Sequence, residues 1–316
     1  MLEFAISTDK LTKQFANLTA VDNLQLQVRK GEIYGLVGPD GAGKTTTMRL
    51  LCGLLNITDG DAQVSGTSVK SDPEAVKRKI GYMSQRFSIY GDLTVSENLN
   101  FFADLYQVPK ETRKQKTDQL LEFSRLTPFI NRLAEQLSGG MKQKLALCCT
   151  LIHEPEILFL DEPTTGVDPV SRREFWKILY SLNENGMTIL VSTPYMDEAE
   201  LCNTIGFIHQ GKLITSDTPQ KIKQLLTGDI LELKAVPLRE ISKQLKSVPG
   251  VKDILVFGDK LHLMVTDIEL AKTAVSEIIT QKQYQLISLN KIAPTLEDIF
   301  VSLVQQNHLP PRHEKH

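Results

Sequence analysis

The sequence has few cysteines, few aromatic residues and no excess of either charge. Its 316 residues include four cysteines and one tryptophan, and no two cysteines form a C-x-x-C pair. This spacing argues against a disulfide scaffold and against a cysteine-based zinc site, so we expect buried free thiols. The six histidines are scattered along the chain, and they do not indicate a zinc site either.

The charge balance and the lengths of the apolar runs argue against two further classes of protein. The net charge of −2 at pH 7 does not indicate the basic surface of a nucleic-acid-binding protein, and no nucleic acid partner is expected. The apolar runs fall far short of the roughly 18–20 residues that cross a bilayer. The first residues carry Glu3 and Asp9 and lack the apolar core of a secretory signal. We therefore expect a cytosolic chain unless a partner holds it at a membrane.

The hydrophobic pattern divides the chain, whose length allows about two domains. In residues 1–225, short apolar strands alternate with helices, which is typical of a parallel sheet. Residues 88–150 are mostly helical, and Thr94-x-x-Glu97 predicts a capping box. Residues 226–305 follow the order β-α-β-β-α-β, which predicts a small ferredoxin-like α+β domain. Residues 306–316 are polar and are predicted to be disordered.

A glycine-rich segment between a predicted strand and a predicted helix matches the P-loop pattern G-x-x-x-x-G-K-[ST]. Its glycines allow backbone N–H groups to close around phosphate oxygens at the positive end of the helix. Lys44 would place its charge on the β- and γ-phosphates, and Thr45 would present a hydroxyl to Mg²⁺. The residues predicted to bind the nucleotide phosphates are Gly38, Pro39, Asp40, Gly41, Ala42, Gly43, Lys44, Thr45 and Thr46.

Two carboxylates follow the apolar strand predicted at residues 157–160. Asp161 is positioned to hold Mg²⁺ through water, and Glu162 is suited to act as the general base that polarises the attacking water. Paired carboxylates after a strand mean little alone. Together with the P-loop they predict a site for hydrolysis of a nucleoside triphosphate.

Between these two motifs lies Leu-Ser-Gly-Gly-Met at residues 137–141. With this signature the chain resembles the nucleotide-binding subunit of an ABC transporter. The resemblance implies an α/β fold over residues 1–225, namely a P-loop NTPase ABC cassette whose RecA-like core carries antiparallel β and helical subdomains. It also implies that Ser138, Gly139 and Gly140 contact the ATP of a second ABC ATPase subunit, so that two ATP molecules lie at a dimer interface.

The resemblance extends to three single positions. Phe15 falls where the family stacks an aromatic ring on adenine. Gln85 falls where an amide reaches Mg²⁺ and the attacking water, so it is both a catalytic and a metal-site candidate with Thr45 and Asp161. Asp168 falls in the loop that crosses the dimer interface.

Two positions depart from the family pattern. Asp40 replaces the usual Asn, and we expect its charge to face solvent. Pro194 stands where the family has a His that hydrogen-bonds the γ-phosphate, and Pro has no side-chain donor. The loss of one such hydrogen bond could cost on the order of 3 kcal/mol, about a hundredfold in rate. Hydrolysis is therefore expected to be slow or to depend on an intact site in another subunit, unless Glu162, Gln85 and the opposite signature suffice.

Three sequence segments resemble those of the daunorubicin-type drug-resistance branch of the family. They lie at residues 87–95, 195–200 and 294–300. That branch implies two separate integral-membrane permease subunits of about six helices each, and a peripheral location at the cytoplasmic face of the plasma membrane. A coupling helix of the permease would dock near Gln85. There Phe87, Ile89 and Tyr90 would provide apolar contacts, or they would belong to ordinary packing of the helical subdomain.

The sequence therefore predicts an ATP-binding and ATP-hydrolysing subunit of an exporter for a drug-like or other hydrophobic substrate. One alternative is a soluble ABC ATPase acting on a cytosolic machine, although such proteins often fuse two cassettes in one chain. The other is a weakly hydrolysing regulatory subunit, which Pro194 favours and Glu162 opposes. The substrate, and the choice between homodimer and heterodimer, stay open at this point.

Overall fold

The structure is a computed structural model that describes residues 3–85, 89–226, 228–245 and 248–306. Phe87 and residues 307–316 of the predicted tail lie outside the described residues. The chain divides into two compact units, Met1–Ser216 and Asp217–His316. The two units meet between Ser216 and Asp217, whereas the sequence predicts a domain boundary between residues 225 and 226.

An antiparallel sheet of five strands lies at the start of the first unit. Its strands are β1 (Phe4–Phe15), β2 (Leu18–Leu24), β3 (Gln27–Arg29), β5 (Asp59–Val64) and β6 (Thr67–Ser68). They follow the order β2-β1-β5-β6, with β3 also paired to β1. Leu24, Leu26 and Val28 are all buried and alternate with exposed polar residues, as in strands that cover a core with one face.

The second sheet of this unit is mostly parallel and carries the candidate site. Its strands are β4 (Ile33–Val37), β7 (Ile80–Met83), β8 (Ile157–Asp161), β9 (Thr188–Thr193), β10 (Thr204–His209) and β11 (Lys212–Asp217). The order is β11-β10-β4-β9-β8-β7, and neighbours from β10 to β7 pair in parallel. Every residue of β4, β8 and β9 is buried, as expected for strands covered on both faces.

Seven α-helices lie among the described residues of the first unit. They are α1 (Lys44–Leu51), α2 (Pro73–Lys79), α3 (Val95–Leu105), α4 (Lys110–Ser124), α5 (Gly139–Leu151), α6 (Pro169–Glu184) and α7 (Met196–Ala199). The predicted capping box of α3 is present, with Glu97 N donating to Thr94 Oγ1 at 3.2 Å. Helix α1 ends at Leu51, shortly before Gly53, whose φ of +66° terminates a helix.

The helical region between residues 89 and 151 has its own hydrophobic core. Helices α3, α4 and α5 pack together with two single turns of 3-10 helix, Thr127–Phe129 and Ala134–Gln136. Cys148 and Cys149 lie in this core, and all four cysteines are buried free thiols, as predicted. Within the described residues, no helix combines the length and the apolar character needed to cross a bilayer.

The second unit is a four-stranded antiparallel sheet with helices. Its elements are α8 (Pro219–Lys223), β12 (Asp229–Val236), α9 (Leu238–Leu245), β13 (Val251–Phe257), β14 (Lys260–Val265), α10 (Ile268–Gln281), β15 (Gln285–Ile292) and α11 (Leu296–Gln306). The strand order is β13-β14-β12-β15, with every pair antiparallel. From β12 to β15 the elements follow the predicted ferredoxin-like order, and α9 and α10 cover one face of the sheet.

Candidate active site

The predicted nucleotide-binding motifs converge at the carboxyl edge of the parallel sheet. Strands β4, β9 and β8 are neighbours, and the segments that follow them begin at Gly38, Pro194 and Glu162. Gln85 follows β7, the strand beside β8. Because parallel strands end at the same edge, this order brings the motifs together.

The P-loop is held by close backbone approaches that exclude larger residues. A Cβ added to Gly38 would lie 2.2 Å from the Ile208 carbonyl oxygen, and one added to Gly43 would lie 2.6 Å from the Ala20 oxygen. Gly43 also has φ +106°, a conformation that favours glycine. Gly211 N donates to the Ala42 oxygen at 2.8 Å. The turn after β10 and the strand β2 therefore fix the loop that leads into α1.

Lys44 is buried, with its charge balanced from within the site. Its Nζ donates to the oxygens of Gly38 at 2.8 Å and Pro39 at 3.0 Å. The same atom lies 3.1 Å from Glu162 Oε1, and both side chains are under a tenth exposed. Asp40 lies 3.9 Å from Lys44 Nζ with its side chain 83% exposed, so its carboxylate faces solvent, in accord with the expectation.

Asp161 is fully buried, and donors of this chain contact both of its oxygens. Oδ1 accepts from Thr45 Oγ1 at 3.1 Å and from Ser192 Oγ at 2.6 Å. Oδ2 accepts from the Tyr82 hydroxyl at 3.3 Å. Burial, with the Asp161 charge as a smaller cause, raises the pKa of Tyr82 to about 12, so this hydroxyl stays protonated at neutral pH. Thr45 and Asp161 thus form a pair of oxygen groups at the start of α1.

Glu162 is held by contacts to both carboxylate oxygens. Oε1 faces Lys44, while Oε2 accepts from Gln85 Nε2 at 2.9 Å and from Thr165 Oγ1 at 3.4 Å. Its backbone N donates to Ser192 Oγ at 3.0 Å. Glu162 has φ +49°, a left-handed conformation that side chains other than glycine adopt at a cost of about 1–3 kcal/mol. The structure therefore joins Lys44, Gln85 and Glu162 in one cluster.

The segment at Pro194 lies directly beside the P-loop. The Thr193 carbonyl oxygen accepts a hydrogen bond from Gly38 N at 3.3 Å, and Pro194 follows it. Pro194 presents no hydrogen-bond donor at this point. The Thr193 hydroxyl does not bond the P-loop, since it donates to Glu198 Oε2 at 2.7 Å.

Within the described residues, no hydrogen bond or ion pair joins the P-loop to five of the predicted site residues, namely Phe15, Ser138, Gly139, Gly140 and Asp168. Ser138 and Asp168 instead cap helices, accepting from Met141 N at 3.3 Å and from Ser171 N at 3.0 Å. Hydrogen bonds from Ser171 lower the pKa of Asp168, so it stays ionised at neutral pH. Phe15 is 43% exposed, with Lys13 Nζ 4.9 Å from its ring centre.

The two glycines of the signature differ in their surroundings. A Cβ added to Gly140 would lie 2.5 Å from the Ser171 side chain, so α5 meets the start of α6 closely at this residue. A Cβ added to Gly139 would meet nothing within 4 Å. The N-terminus of α5 is therefore open at Gly139 in this chain.

Several polar residues at this edge were not predicted as site residues from the sequence. Ser192 and Tyr82 both contact Asp161, and Glu198 lies buried behind the Pro194 segment. For Ser192 a signal exists, because it is the first polar residue after a run of apolar strand residues. For Tyr82 and Glu198 the contacts depend on how distant elements pack, which one sequence does not disclose.

Comparison with known proteins agrees with this geometry. Residues 21–165 match the family model described as "ABC transporter", and residues 218–304 match the model "ATP-binding protein DrrA1-3-like, C-terminal domain". The chain is 35% identical over 305 residues to the daunorubicin resistance ATP-binding protein DrrA2 of Streptomyces coeruleorubidus, covering 95% of each protein. It is 33% identical over 303 residues to the linearmycin resistance ATP-binding protein LnrL of Bacillus subtilis, covering 94% of this chain and 97% of that one.

A third relative is more similar over a shorter stretch. The probable multidrug ABC transporter ATP-binding protein YbhF of Escherichia coli is 45% identical over 227 residues. The match takes in 72% of this chain and 39% of that relative, so the chain spans well under half of its length.

The solved structures similar to the chain are ATP-binding cassettes. One ATP-binding subunit of an ABC transporter superposes with a TM-score of 0.63 at 26% identity, covering 70% of this chain and 92% of that one. A dimeric cassette in a post-hydrolysis state with ADP and Pi gives a TM-score of 0.61 at 26% identity, covering 67% and 98%. These likenesses confirm the predicted α/β cassette fold. The chain belongs to the family of ABC transporter ATP-binding proteins and carries the DrrA1-3-like C-terminal domain.

Proposed function

We propose that this chain binds ATP at the P-loop and hydrolyses it to drive export through separate membrane subunits. The observation that carries the proposal is the cluster at the sheet edge, where Lys44 and Gln85 hold the two oxygens of Glu162 while Thr45 contacts Asp161. The relatives named for drug resistance support the exporter function over a role on a cytosolic machine.

The residues of the cluster can each take a different role in hydrolysis: binding phosphate, accepting a proton or positioning water. The backbone N–H groups at the start of α1 and the Lys44 ammonium bind phosphate oxygens. When Lys44 turns to the phosphates, Glu162 loses its counter-charge and becomes available to accept a proton from water. Gln85, already 2.9 Å from Glu162 Oε2, can hold that water in line. Phe15, being exposed, can stack on the adenine.

The oxygen groups at this edge fit Mg²⁺, which prefers oxygen ligands and usually keeps several waters. Thr45 Oγ1 and the buried Asp161 carboxylate lie 3.1 Å apart. The Gln85 amide is held next to them by its hydrogen bond to Glu162 Oε2. In the part of the chain that the structure describes, no group of three or more His, Cys, Asp or Glu could hold a metal ion alone. Phosphate oxygens and water would complete the coordination, and the bound ion would supply positive charge to the β- and γ-phosphates.

A second ABC ATPase subunit would complete each site. Over the residues that the structure describes, no hydrogen bond or ion pair joins Ser138, Gly139, Gly140 or Asp168 to the P-loop of the same chain. Gly139 is open at the N-terminus of α5. A helix N-terminus with free backbone N–H groups favours an anion. The dimeric cassette among the solved relatives supports two chains that each bring this helix to the other chain's ATP.

The membrane partners would dock beside Gln85. A groove of about 640 Å³ reaches Tyr82, on the strand that leads to Gln85, and its apolar and aromatic residues include Leu54, Leu105 and Tyr106. Charged residues also line it, namely Glu74, Lys77 and Arg78. Such a mixed lining suits an amphipathic helix of each of two permease subunits. This docking would hold the chain peripherally at the cytoplasmic face of the membrane.

The residues predicted after Gln85 fall into different surroundings. Tyr90 is half-exposed and meets the Phe101 ring edge-on at 4.6 Å, so it suits a docking contact. Ile89 packs against the core of the helical region, which favours the structural role.

Because Pro194 supplies no donor to the γ-phosphate, turnover would be slow or would depend on an intact site in a second, different ATPase.

The experiment combines turnover with partner capture. Purified chain should hydrolyse ATP, and both Glu162→Gln and Lys44→Ala should abolish turnover, with Lys44→Ala also losing ATP binding. Tagged Glu162→Gln, trapped with ATP in mild detergent in the native host, should co-purify with a membrane protein of about six helices. Recovery with ribosomes or another soluble complex instead would overturn the exporter function, and the captured set would show whether a second ATPase takes part.

A further inference from the structure

Glu198 is a buried carboxylate that the chemistry of ATP does not use. It lies on α7 and is 1% exposed. Oε1 accepts a hydrogen bond from Thr164 Oγ1, and Oε2 accepts one from Thr193 Oγ1 at 2.7 Å. Because burying an ionised carboxylate costs free energy unless it is paired and hydrogen-bonded, these partners are required in the folded state.

The two threonines belong to the segments that hold the reacting groups. Thr164 follows Glu162 by two residues, and Thr193 ends β9 just before Pro194. The carbonyl of Thr193 also accepts from Gly38 N of the P-loop at 3.3 Å. One carboxylate therefore joins the loop of the proposed general base to the strand end that touches the P-loop.

A charge from another helix completes this cluster. Arg172 Nε lies 3.5 Å from Glu198 Oε1, and its terminal nitrogen lies 3.3 Å from Asp197 Oδ2. The guanidinium also stacks over the Tyr195 ring at 4.5 Å from its centre. Three side chains of the segment after Pro194 thus meet a single guanidinium, whose planar shape suits combined pairing and stacking.

Arg172 stands in the first turn of α6, the helix that Asp168 caps. Arg172 N donates to the Asp168 oxygen at 2.9 Å, and Asp168 Oδ1 accepts from Val170 N and Ser171 N. A shift of the Asp168 loop therefore moves Arg172 with it. Since the buried Glu198 cannot lose its counter-charge without a large cost, the movement passes on to the segments at Thr164 and Thr193.

We propose that Glu198 and Arg172 are positioning residues that connect the Asp168 loop to Glu162 and to the segment at Pro194. Neither is among the residues that we expect to contact the nucleotide. Together they orient the general base Glu162. They also fix the end of β9 at Thr193, next to Pro194, which has no donor for the γ-phosphate. The inference rests on the proposed ATP hydrolysis and assigns two residues that regulate the same site.

The test compares the full-length variants Glu198→Gln and Arg172→Met with Arg173→Met, an exposed neighbour on the same helix. Each variant is assayed for kcat and KM of ATP hydrolysis, for thermal unfolding, and for the rise in Tm with ATP. We expect Glu198→Gln and Arg172→Met each to lower kcat about tenfold, with KM within about twofold, because the effect lies on the reacting geometry and not on ATP binding. Arg173→Met should match the wild type.

The double variant Glu198→Gln with Arg172→Met sharpens the test. If the two act as one unit, it should lose little more kcat than either single variant, since coupled residues are not additive. If Glu198→Gln or Arg172→Met does not fold, Arg172→Lys carries the comparison, because it keeps a positive charge beside the buried carboxylate but loses the planar stacking on Tyr195.

The outcomes separate this inference from the proposed function. A wild-type chain with neither an ATP-dependent rise in Tm nor turnover above Glu162→Gln would refute the function and with it the inference. A wild type that hydrolyses ATP, with turnover per folded molecule unchanged in both variants, would refute only the positioning role. Equal losses in Arg173→Met, or a kcat loss that follows the loss of folded protein, would do the same.

Discussion

Replacing Glu162 with glutamine should weaken the nucleotide-free fold and tighten ATP binding in the same variant. The Lys44 ammonium lies 3.1 Å from Glu162 Oε1, and both side chains are buried. Breaking a buried ion pair by removing one partner costs about 3–5 kcal/mol. Lys44 keeps its two carbonyl acceptors at Gly38 and Pro39, and the glutamine oxygen can still accept. We therefore expect a lower figure, a loss of about 2 kcal/mol in the free energy of unfolding.

The same contact competes with ATP. In the wild type, phosphate must draw Lys44 away from Glu162, whereas in Glu162→Gln the ammonium has only the exposed Asp40 carboxylate, 3.9 Å away, as a counter-charge. If the whole loss is recovered on binding, about 2 kcal/mol corresponds to roughly 30-fold tighter ATP binding. Hydrolysis does not enter this comparison when both proteins are measured in EDTA.

The measurement uses the single tryptophan, Trp176, which is buried in the same unit as the site. Urea unfolding followed by its fluorescence gives the free energy of unfolding with and without ATP, and calorimetry gives the Kd. The matched control is Glu174→Gln, since Glu174 pairs with Lys144 at 2.6 Å but is 44% exposed. Exposed pairs contribute about 0.2–1 kcal/mol, and this variant should bind ATP as the wild type does. An unchanged Kd and an unchanged unfolding midpoint in Glu162→Gln would refute the restraint of Lys44 by Glu162.

Three further outcomes are expected. Pro194→His should raise kcat in a coupled phosphate-release assay, by up to about a hundredfold if the restored donor reaches the γ-phosphate, and an unchanged kcat would show that the site does not need it. Asp298→Asn should lower the free energy of unfolding of the second unit by about 2 kcal/mol, because Asp298 is fully buried and lies 2.8 Å from His262 Nδ1. Amide hydrogens of β14 should then exchange faster, and an exchange rate equal to that of the wild type would contradict the prediction. Burial raises the pKa of the Cys148 thiol to about 11, so the thiol stays protonated at pH 8. It should resist thiol reagents in the native chain and react with them in urea. Rapid labelling of Cys148 in the native chain would contradict its burial.

The parts of the site that the sequence predicts are those coded within short segments. Lys44 and Thr45 lie in one motif, and Asp161 and Glu162 directly follow one apolar strand. The conformation of each segment is local, and the rule that parallel strands end at one edge brings the segments together. The ion pair between Lys44 and Glu162 was not predicted, because it depends on the lateral order of strands and on which rotamers the packed core permits.

Other features depend on contacts between residues far apart in sequence. Arg172 belongs to α6 and Glu198 to α7, and nothing in the order of residues indicates that the two side chains meet. The end of α1 does not follow from the apolar pattern, because that pattern continues to Leu54 while the backbone turns at Gly53. In the second unit the helix and strand order follows from periodicity, whereas the burial of Asp298 against His262 required the packing of α11 on β14.

The backbone junction at Ala20 bears on the kinetics of nucleotide binding. Cβ atoms built at Gly43 and Gly211 would both lie within 2.7 Å of the Ala20 oxygen, and Asp22 N donates to the Gly211 oxygen at 2.9 Å. The P-loop is thus shaped by its neighbours before any phosphate arrives, and little chain entropy is left for the ligand to remove. Association should then be a single diffusional step whose observed rate rises linearly with nucleotide concentration. In the proposed dimer, the slower step of the cycle would then be the closure of the two chains around their bound ATP molecules.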